Sequence, residues 1–288
     1  TTSTVLKGFA VSTPTGTWSS GGNLNNGRVG AGASGTSVSS SLVYGGTPGS
    51  APAVKNTESY NGTAWTELND QTDDHRYCFG VGTVTAALAI GGYPNVTATE
   101  HWDGTNWTEG GTLNDGRGLS GGGVGTQTAG MIACGYNNVT VCEQYDGSTW
   151  TEVNDTNTGR NYGVMGGTTY AAGIITGKSP ASAATEKFDG TSWTEVNDLN
   201  TGRGGMGSSS AGSQDDYLVY GGTGTVTLTE HFNGTSWTEL ADLGTGSNET
   251  FGSGVSSSSL QIGGTGVPAQ NITQEFSGGN AIKTFTSS

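Results

Sequence analysis

Six tryptophans mark off this chain at nearly even intervals: Trp18, Trp65, Trp107, Trp150, Trp193 and Trp237, separated by 47, 42, 43, 43 and 44 residues. Around five of them the wording is almost the same. It is fullest in EKFDGTSWTEVNDLNTGR from Glu186, and it recurs from Glu58, Glu100, Glu143 and Glu230, with a partial copy from Gly16. A second marker runs in phase, the pairs Gly45-Gly46, Gly91-Gly92, Gly221-Gly222 and Gly263-Gly264, with Cys134-Gly135 and Thr176-Gly177 in the other two copies. A chain that repeats one phrase six times must build its core between like units. A period of roughly 40–50 residues made of short strands points to the blades of a propeller.

The copy from Arg160 to Trp193 supplies the strand pattern. Small and apolar residues alternate over Asn161 to Gly166, as an inner strand requires where sheets converge on an axis. Ala171 to Ile175 is a continuous apolar run, which reads as a strand buried on both faces. Thr185 to Phe188 is a third strand with Glu186 and Phe188 on one side. Asp189-Gly190 makes a tight turn with positive φ, and Trp193 to Val196 is the outer strand. The reading is therefore all-β: a six-bladed propeller of four-stranded antiparallel blades.

The ends of the chain complete each other. Trp18 carries an outer strand that precedes any inner strand, while the last third strand, around Phe276, has no tryptophan after it. A one-plus-three clasp between the two ends closes the ring and removes an open sheet edge. The expected layout is a single domain over residues 1–288. Its blades lie at about 27–69, 75–112, 116–154, 159–197, 202–241 and 248–286, the last closed by 1–24. Val5 to Val11 and Ala281 to Thr286 are left as extra edge strands; a degenerate seventh blade made from them is the competing count.

Composition narrows the choice of partner. Apolar residues are 31% and charged residues 12% of the chain, and 53 glycines help fill the remainder, which suits thin sheets and tight turns rather than a charge-swollen disordered coil. The formal charge of −14 disfavours nucleic acid and anionic membrane surfaces. No apolar run is long enough for a membrane helix, and the longest lies near Thr85 to Ile90. Few lysines and much Thr, Ser and Asn give an expectation of an extracellular or virion-surface protein. Of the three cysteines, Cys134 and Cys142 lie on successive strands and either pair across that hairpin or stay as buried thiols.

Arginine, inner strand, apolar run with Gly-Gly, aromatic with Asp/Asn-Gly, then tryptophan at a fixed interval: this order resembles the kelch repeat over nearly the whole chain. The phrase NGTxWTExND also resembles the repeats of propeller proteins associated with the tails of marine bacterial viruses. These resemblances imply a binding module, including the possibility of host adhesion. Kelch-type propellers also include copper radical oxidases, but the tyrosines, histidines and crosslinked cysteine of such a site are not brought together in this sequence.

Arg28, Arg76, Arg117, Arg160 and Arg203 fall ten or eleven residues after their tryptophans, with Ser247 in the sixth place. That position borders the mouth of the central channel. Two readings stand open. The arginines form a cationic ring for a carboxylate, phosphate or acidic glycan, or each pairs with a repeat carboxylate such as Asp155, Asp198 or Glu186 and ties blades together. With His75, Tyr77 and Tyr162 beside them, and with the variable loops after the glycine pairs, they make the candidate ligand-binding surface. The six repeat tryptophans read as structural. His101 and His231 share one repeat position and read as exposed strand residues.

No catalytic residues, metal ligands or cofactor are assigned. The expected function is a non-catalytic recognition or adhesion module for a cell-surface glycan or protein. A structural decoration within a larger assembly is the alternative, and a polysaccharide hydrolase or lyase the third choice.

Overall fold

The computed structural model describes residues 12–49, 52–119, 123–265 and 271–282. They form six four-stranded antiparallel sheets and one short 3-10 turn at Tyr136–Asn138. Each inner strand packs against the inner strands of the blades before and after it, and the first meets the last, Gly32–Ser37 against Phe251–Val255. The six sheets thus close a circle. Among the described residues no helix is long and apolar enough to cross a membrane.

The fourth blade shows how sequence becomes sheet. Its strands are Val164–Thr169, Ala172–Lys178, Ser182–Phe188 and Trp193–Val196. The inner strand starts at Val164 rather than Asn161, because Tyr162 adopts a left-handed φ of 56° and turns the chain first. On the third strand Glu186 and Phe188 are buried and Lys187 between them is only partly covered, as the two-residue period of a strand requires.

The turn before the tryptophan is longer than a two-residue hairpin. In the third blade Tyr145 pairs with Trp150, and the Asp146 carboxylate accepts from the backbone N–H groups of Ser148 and Thr149, at 2.9 and 2.8 Å. Asn61 and Asn233 accept the same pair of bonds through their amide oxygens, so Asp and Asn interchange freely there.

Trp18 lies directly opposite Phe276. Its strand, Ser12–Ser20, pairs along its whole length with Thr273–Ile282, which continues into Ser258–Ile262 and Phe251–Val255. The sixth blade is therefore three strands from one end of the chain and one from the other. The proposed edge strand Val5 to Val11 and the end of the Ala281 to Thr286 piece lie outside the described residues, as does part of the loops around 47–53 and 266–270.

The core lies between blades. Val124, Met131, Ala133 and Cys142 of the third blade pack on Met165, Ile175, Phe188 and Trp193 of the fourth, all six percent exposed or less. Each tryptophan also carries a polar link. The indole N–H of Trp107 donates to Thr57 of the preceding blade, that of Trp150 to Thr99, that of Trp65 to Thr273 and that of Trp18 to Thr229, at 2.9 to 3.1 Å. This satisfies a donor whose burial would otherwise be costly.

The third blade places Cys142 where the other blades carry that threonine, and of the two alternatives for Cys134 and Cys142 the structure has the buried thiols. Cys142 lies opposite Ala133, so Cys134 is one residue out of register with it. The Cys134 sulfur sits 3.2 Å from Thr156 Oγ1, the Cys142 sulfur 3.4 Å from the Thr140 carbonyl, and both thiols are free and buried.

Candidate recognition surface at the channel mouth

The residue ten places after each tryptophan is the anchor of a buried clamp. Arg160 donates to Glu186 at 2.5 Å, and the same carboxylate accepts from Asn157 N, Asn157 Nδ2 and Thr158 N at 2.7, 2.9 and 3.1 Å. Arg28 pairs in the same way with Glu58, Arg117 with Glu143, and Arg203 with Glu230. Because Asn157 and Thr158 belong to the segment arriving from the previous outer strand, each clamp ties that segment to the third strand of its own blade.

The four arginines are only 0 to 3% exposed. Their guanidinium groups are therefore enclosed rather than displayed around the mouth, which corrects the reading of them as a ligand-binding ring. Of the two readings, the structure shows carboxylate pairing, and it selects the third-strand glutamates over Asp155 and Asp198. Burial depresses the pKa of Arg28 and Arg117 despite the neighbouring acids.

The second blade departs from the pattern. His75, not Arg76, occupies the clamp there: Nε2 lies 3.0 Å from Glu100 and Nδ1 2.6 Å from the Gly91 carbonyl. With an acceptor at each nitrogen, the ring satisfies both only when doubly protonated. Arg76 is displaced one residue outward, with its guanidinium carbon 4.7 Å from the Tyr93 ring centre. It is the one arginine of this chain without a carboxylate partner among the described residues. In the sixth blade Ser247 and Gln274 replace arginine and glutamate, and the clamp is neutral. Ser247 donates to the Gly263 carbonyl, and Gln274 bonds Gln261 and the Thr245 backbone.

Two residues beyond the clamp the chain turns from the rim into the axis. All six residues at this point have left-handed φ: Gly30, Tyr77, Leu119, Tyr162, Gly205 and Glu249, between 49 and 65°. Their backbones bond from blade to blade. Tyr77 N donates to Gly30 O, Leu119 N to Tyr77 O, Tyr162 N to Leu119 O and Gly205 N to Tyr162 O, at 2.5 to 3.0 Å, with Gly30 N to Glu249 O at 3.5 Å. This hydrogen-bonded collar is the mouth of the channel.

The bulky polar side chains of the collar come from alternate blades and meet over the opening. The Tyr77 hydroxyl donates to the Glu249 carboxylate at 2.8 Å, and the Tyr77 and Tyr162 rings stand edge to face with centres 6.1 Å apart. Burial, followed by the nearby Glu249 carboxylate, pushes the Tyr162 pKa up to about 12 and raises that of Tyr77 as well. Outward from Tyr77 the aromatic contact continues to Tyr93 at 6.3 Å and from Tyr93 to Tyr136 at 5.1 Å. Tyr136, Tyr93, Tyr77 and Tyr162, all partly exposed, thus form one strip with Arg76 and Glu249 beside it.

Below the collar the axis is nearly solid. A Cβ on Gly80 would lie 2.4 Å from the Ala33 carbonyl and 2.5 Å from the Tyr44 hydroxyl, so only glycine fits. The space remaining along the axis falls into cavities of about 10 to 30 Å³.

Of the residues singled out in the sequence, Tyr77 and Tyr162 stand at the mouth, Arg76 stands on its rim and His75 lies beneath it. Tyr93, Tyr136 and Glu249 join them. Tyr93 and Tyr136 sit in the variable loops already picked out, whereas Glu249 is marked only by its place twelve residues after Trp237. His101 and His231 are partly covered rather than exposed; His101 lies 2.8 Å from the Tyr145 hydroxyl and His231 2.6 Å from Asp216. Among the described residues no three His, Cys, Asp or Glu side chains are grouped to hold a metal ion.

The fold and this mouth define the class: a six-bladed β-propeller with uniform blades and an irregular, tyrosine-rich opening at one end of its axis. A scan against protein-family models matches none, and a search of curated proteins finds no match.

Proposed function

We propose that this protein is a non-catalytic recognition module, a kelch-like propeller that contacts a glycan or protein on another surface through its channel-mouth face. The observation that carries this reading is the tyrosine strip from Tyr136 to Tyr162. Rings that hold one another edge to face present flat apolar area and hydroxyls at small entropic cost, which is the chemistry recognition surfaces favour. The clamps and the glycine-lined axis support it from below as a rigid platform.

The strand directions add an orientation. Ser12 pairs with Ile282 at the end of the clasp farthest from the mouth, because third strands run away from the collar and outer strands run back toward it. Ser12 and Ile282 thus lie on the side opposite the tyrosines. Such a geometry suits display from a virion tail or a secreted assembly, with the mouth turned outward. The buried arginine–glutamate clamps repeated in four of the six blades also favour a second reading, a rigid structural decoration that binds nothing.

A printed array of neutral, sialylated, uronic and amino oligosaccharides at low salt tests the proposal with three proteins. Wild type and Tyr170→Ala, altered at an exposed tyrosine on the opposite side, bind alike, and Tyr93→Ala/Tyr136→Ala loses at least about ten-fold, the scale of a lost aromatic anchor. Equal binding by all three proteins removes the mouth from the reading, and intact folding with no binding favours the decoration.

A further inference from the structure

The charge at the centre of the mouth is the reverse of the one the arginine pattern suggests. The clamp arginines are buried and neutralised, and Arg76 lies against Tyr93. The acidic group at the centre is Glu249, partly exposed, with tyrosines beside it and no cationic partner among the described residues. The clamp glutamates, by contrast, each have an arginine or histidine against them. A half-buried carboxylate facing hydroxyls alone leaves acceptor positions open, and a carboxylate offers about four.

A cavity of about 30 Å³ adjoins this group, lined in part by Tyr77, Leu119, Tyr162, Met206, Glu249 and Phe251. That is room for one water or one ammonium head, and not for a sugar ring. Ring faces near a carboxylate attract an alkylammonium through both the π system and the full charge. The overall charge of −14 draws cations toward the molecule.

We infer that the channel mouth holds a primary ammonium borne on a flexible apolar stem, the side chain of a lysine presented by a partner protein. The ammonium donates to Glu249 in the positions the tyrosine hydroxyls leave, and its methylene stem lies along Tyr77 and Tyr162. This inference rests on the recognition reading above and names the chemistry of its ligand.

The test uses the full chain and the probe Nα-acetyl-lysine N-methylamide, followed by NMR of the tyrosine ring resonances of Tyr77 and Tyr162. Saturable shifts at both rings are expected, absent with the Nε-acetylated probe and with Nα-acetyl-glutamate. Glu249→Gln weakens binding at least ten-fold, whereas Tyr170→Ala, on the side opposite the mouth, binds as wild type does. Absence of saturable shifts, equal binding of the acetylated probe, or unchanged affinity in Glu249→Gln overturns the inference. Tighter binding of glucosamine than of the lysine probe overturns the assignment to a protein partner. Should Glu249→Gln fail to fold, the acetylated and glutamate probes on the wild-type chain still decide. Failure here, combined with lost array binding in Tyr93→Ala/Tyr136→Ala, removes the ligand and leaves the face; retained array binding in that variant removes the face itself.

Discussion

Substituting Glu186 by Gln strips the charge from one clamp while keeping its shape. Arg160 is then left 1% exposed with a full positive charge and no counter-ion. Breaking one partner of a buried ion pair costs about 3–5 kcal/mol, most of it the stranded charge rather than the lost bond. For a chain of this size each kcal/mol lowers the melting temperature by about 2 °C, so a fall of roughly 6–10 °C is expected. The double variant Arg160→Met/Glu186→Gln removes both charges. Its glutamine oxygen can still accept from the Asn157 and Thr158 N–H groups, as Gln274 accepts from Thr245 N at 3.0 Å in the neutral sixth blade. It should recover more than half of the loss. Urea unfolding of wild type, single and double variants reads all three stabilities. A single variant within about 1 kcal/mol of wild type, inside the range of an exposed pair, or a double variant no better than the single, would refute the argument that stranded charge sets the cost.

The second-blade clamp makes stability depend on pH. Burial lowers the His75 pKa, but the Glu100 carboxylate and the Gly91 carbonyl outweigh it and raise the folded value above 6.5; that contribution is complete below 6.5 and is lost as pH rises through the folded value. Burial raises the Glu100 pKa, but bonds from His75, Thr72 and Asp73 bring it below 4.5, so its contribution is present above 4.5 and is lost as pH falls through the folded value. Unfolding midpoints measured across pH should thus be highest between these limits, and His75→Arg should flatten the alkaline side; an unchanged alkaline slope contradicts the assignment. Gly80→Ala, whose Cβ meets the Ala33 carbonyl at 2.4 Å, should cost at least about 1–3 kcal/mol. Gly279→Ala, with nothing within 4 Å, serves as its denaturation control. Deleting residues 1–20 exposes the Thr273–Ile282 edge and should shift the protein to dimers or aggregates in size-exclusion chromatography; a stable monomer would show that the clasp is dispensable.

The architecture was legible because a repeat averages out local ambiguity: six tryptophans and six glycine sites fix strand order, and the surplus strand at Trp18 matches the deficit after Phe276. Which carboxylate each arginine meets was legible only in part. The useful signal is joint loss, since the blade with Ser247 for arginine also has Gln274 for glutamate, and the blade with His75 keeps Glu100. The collar was hidden for a physical reason. Gly30, Tyr77, Leu119, Tyr162, Gly205 and Glu249 share a backbone conformation and no side-chain chemistry, so a comparison of letters finds nothing in common among them. Cys142 stayed ambiguous because a cysteine one strand from another suggests a bond, whereas its repeat position belongs to the residue that faces the next blade's tryptophan.

The clasp also decides how the molecule bears load. Ser12 and Ile282 face each other at one end of the described antiparallel ladder, so a force pulling these two residues apart acts on their rung alone and opens the ladder one rung at a time toward Ser20 and Gln274. A force applied between the tyrosine mouth and either of them does not separate those two strands at that rung. Anchored through one of them, the ring can be tugged through its ligand without being unzipped; anchored through both to separating supports, it opens at the sixth blade before any buried charge is disturbed.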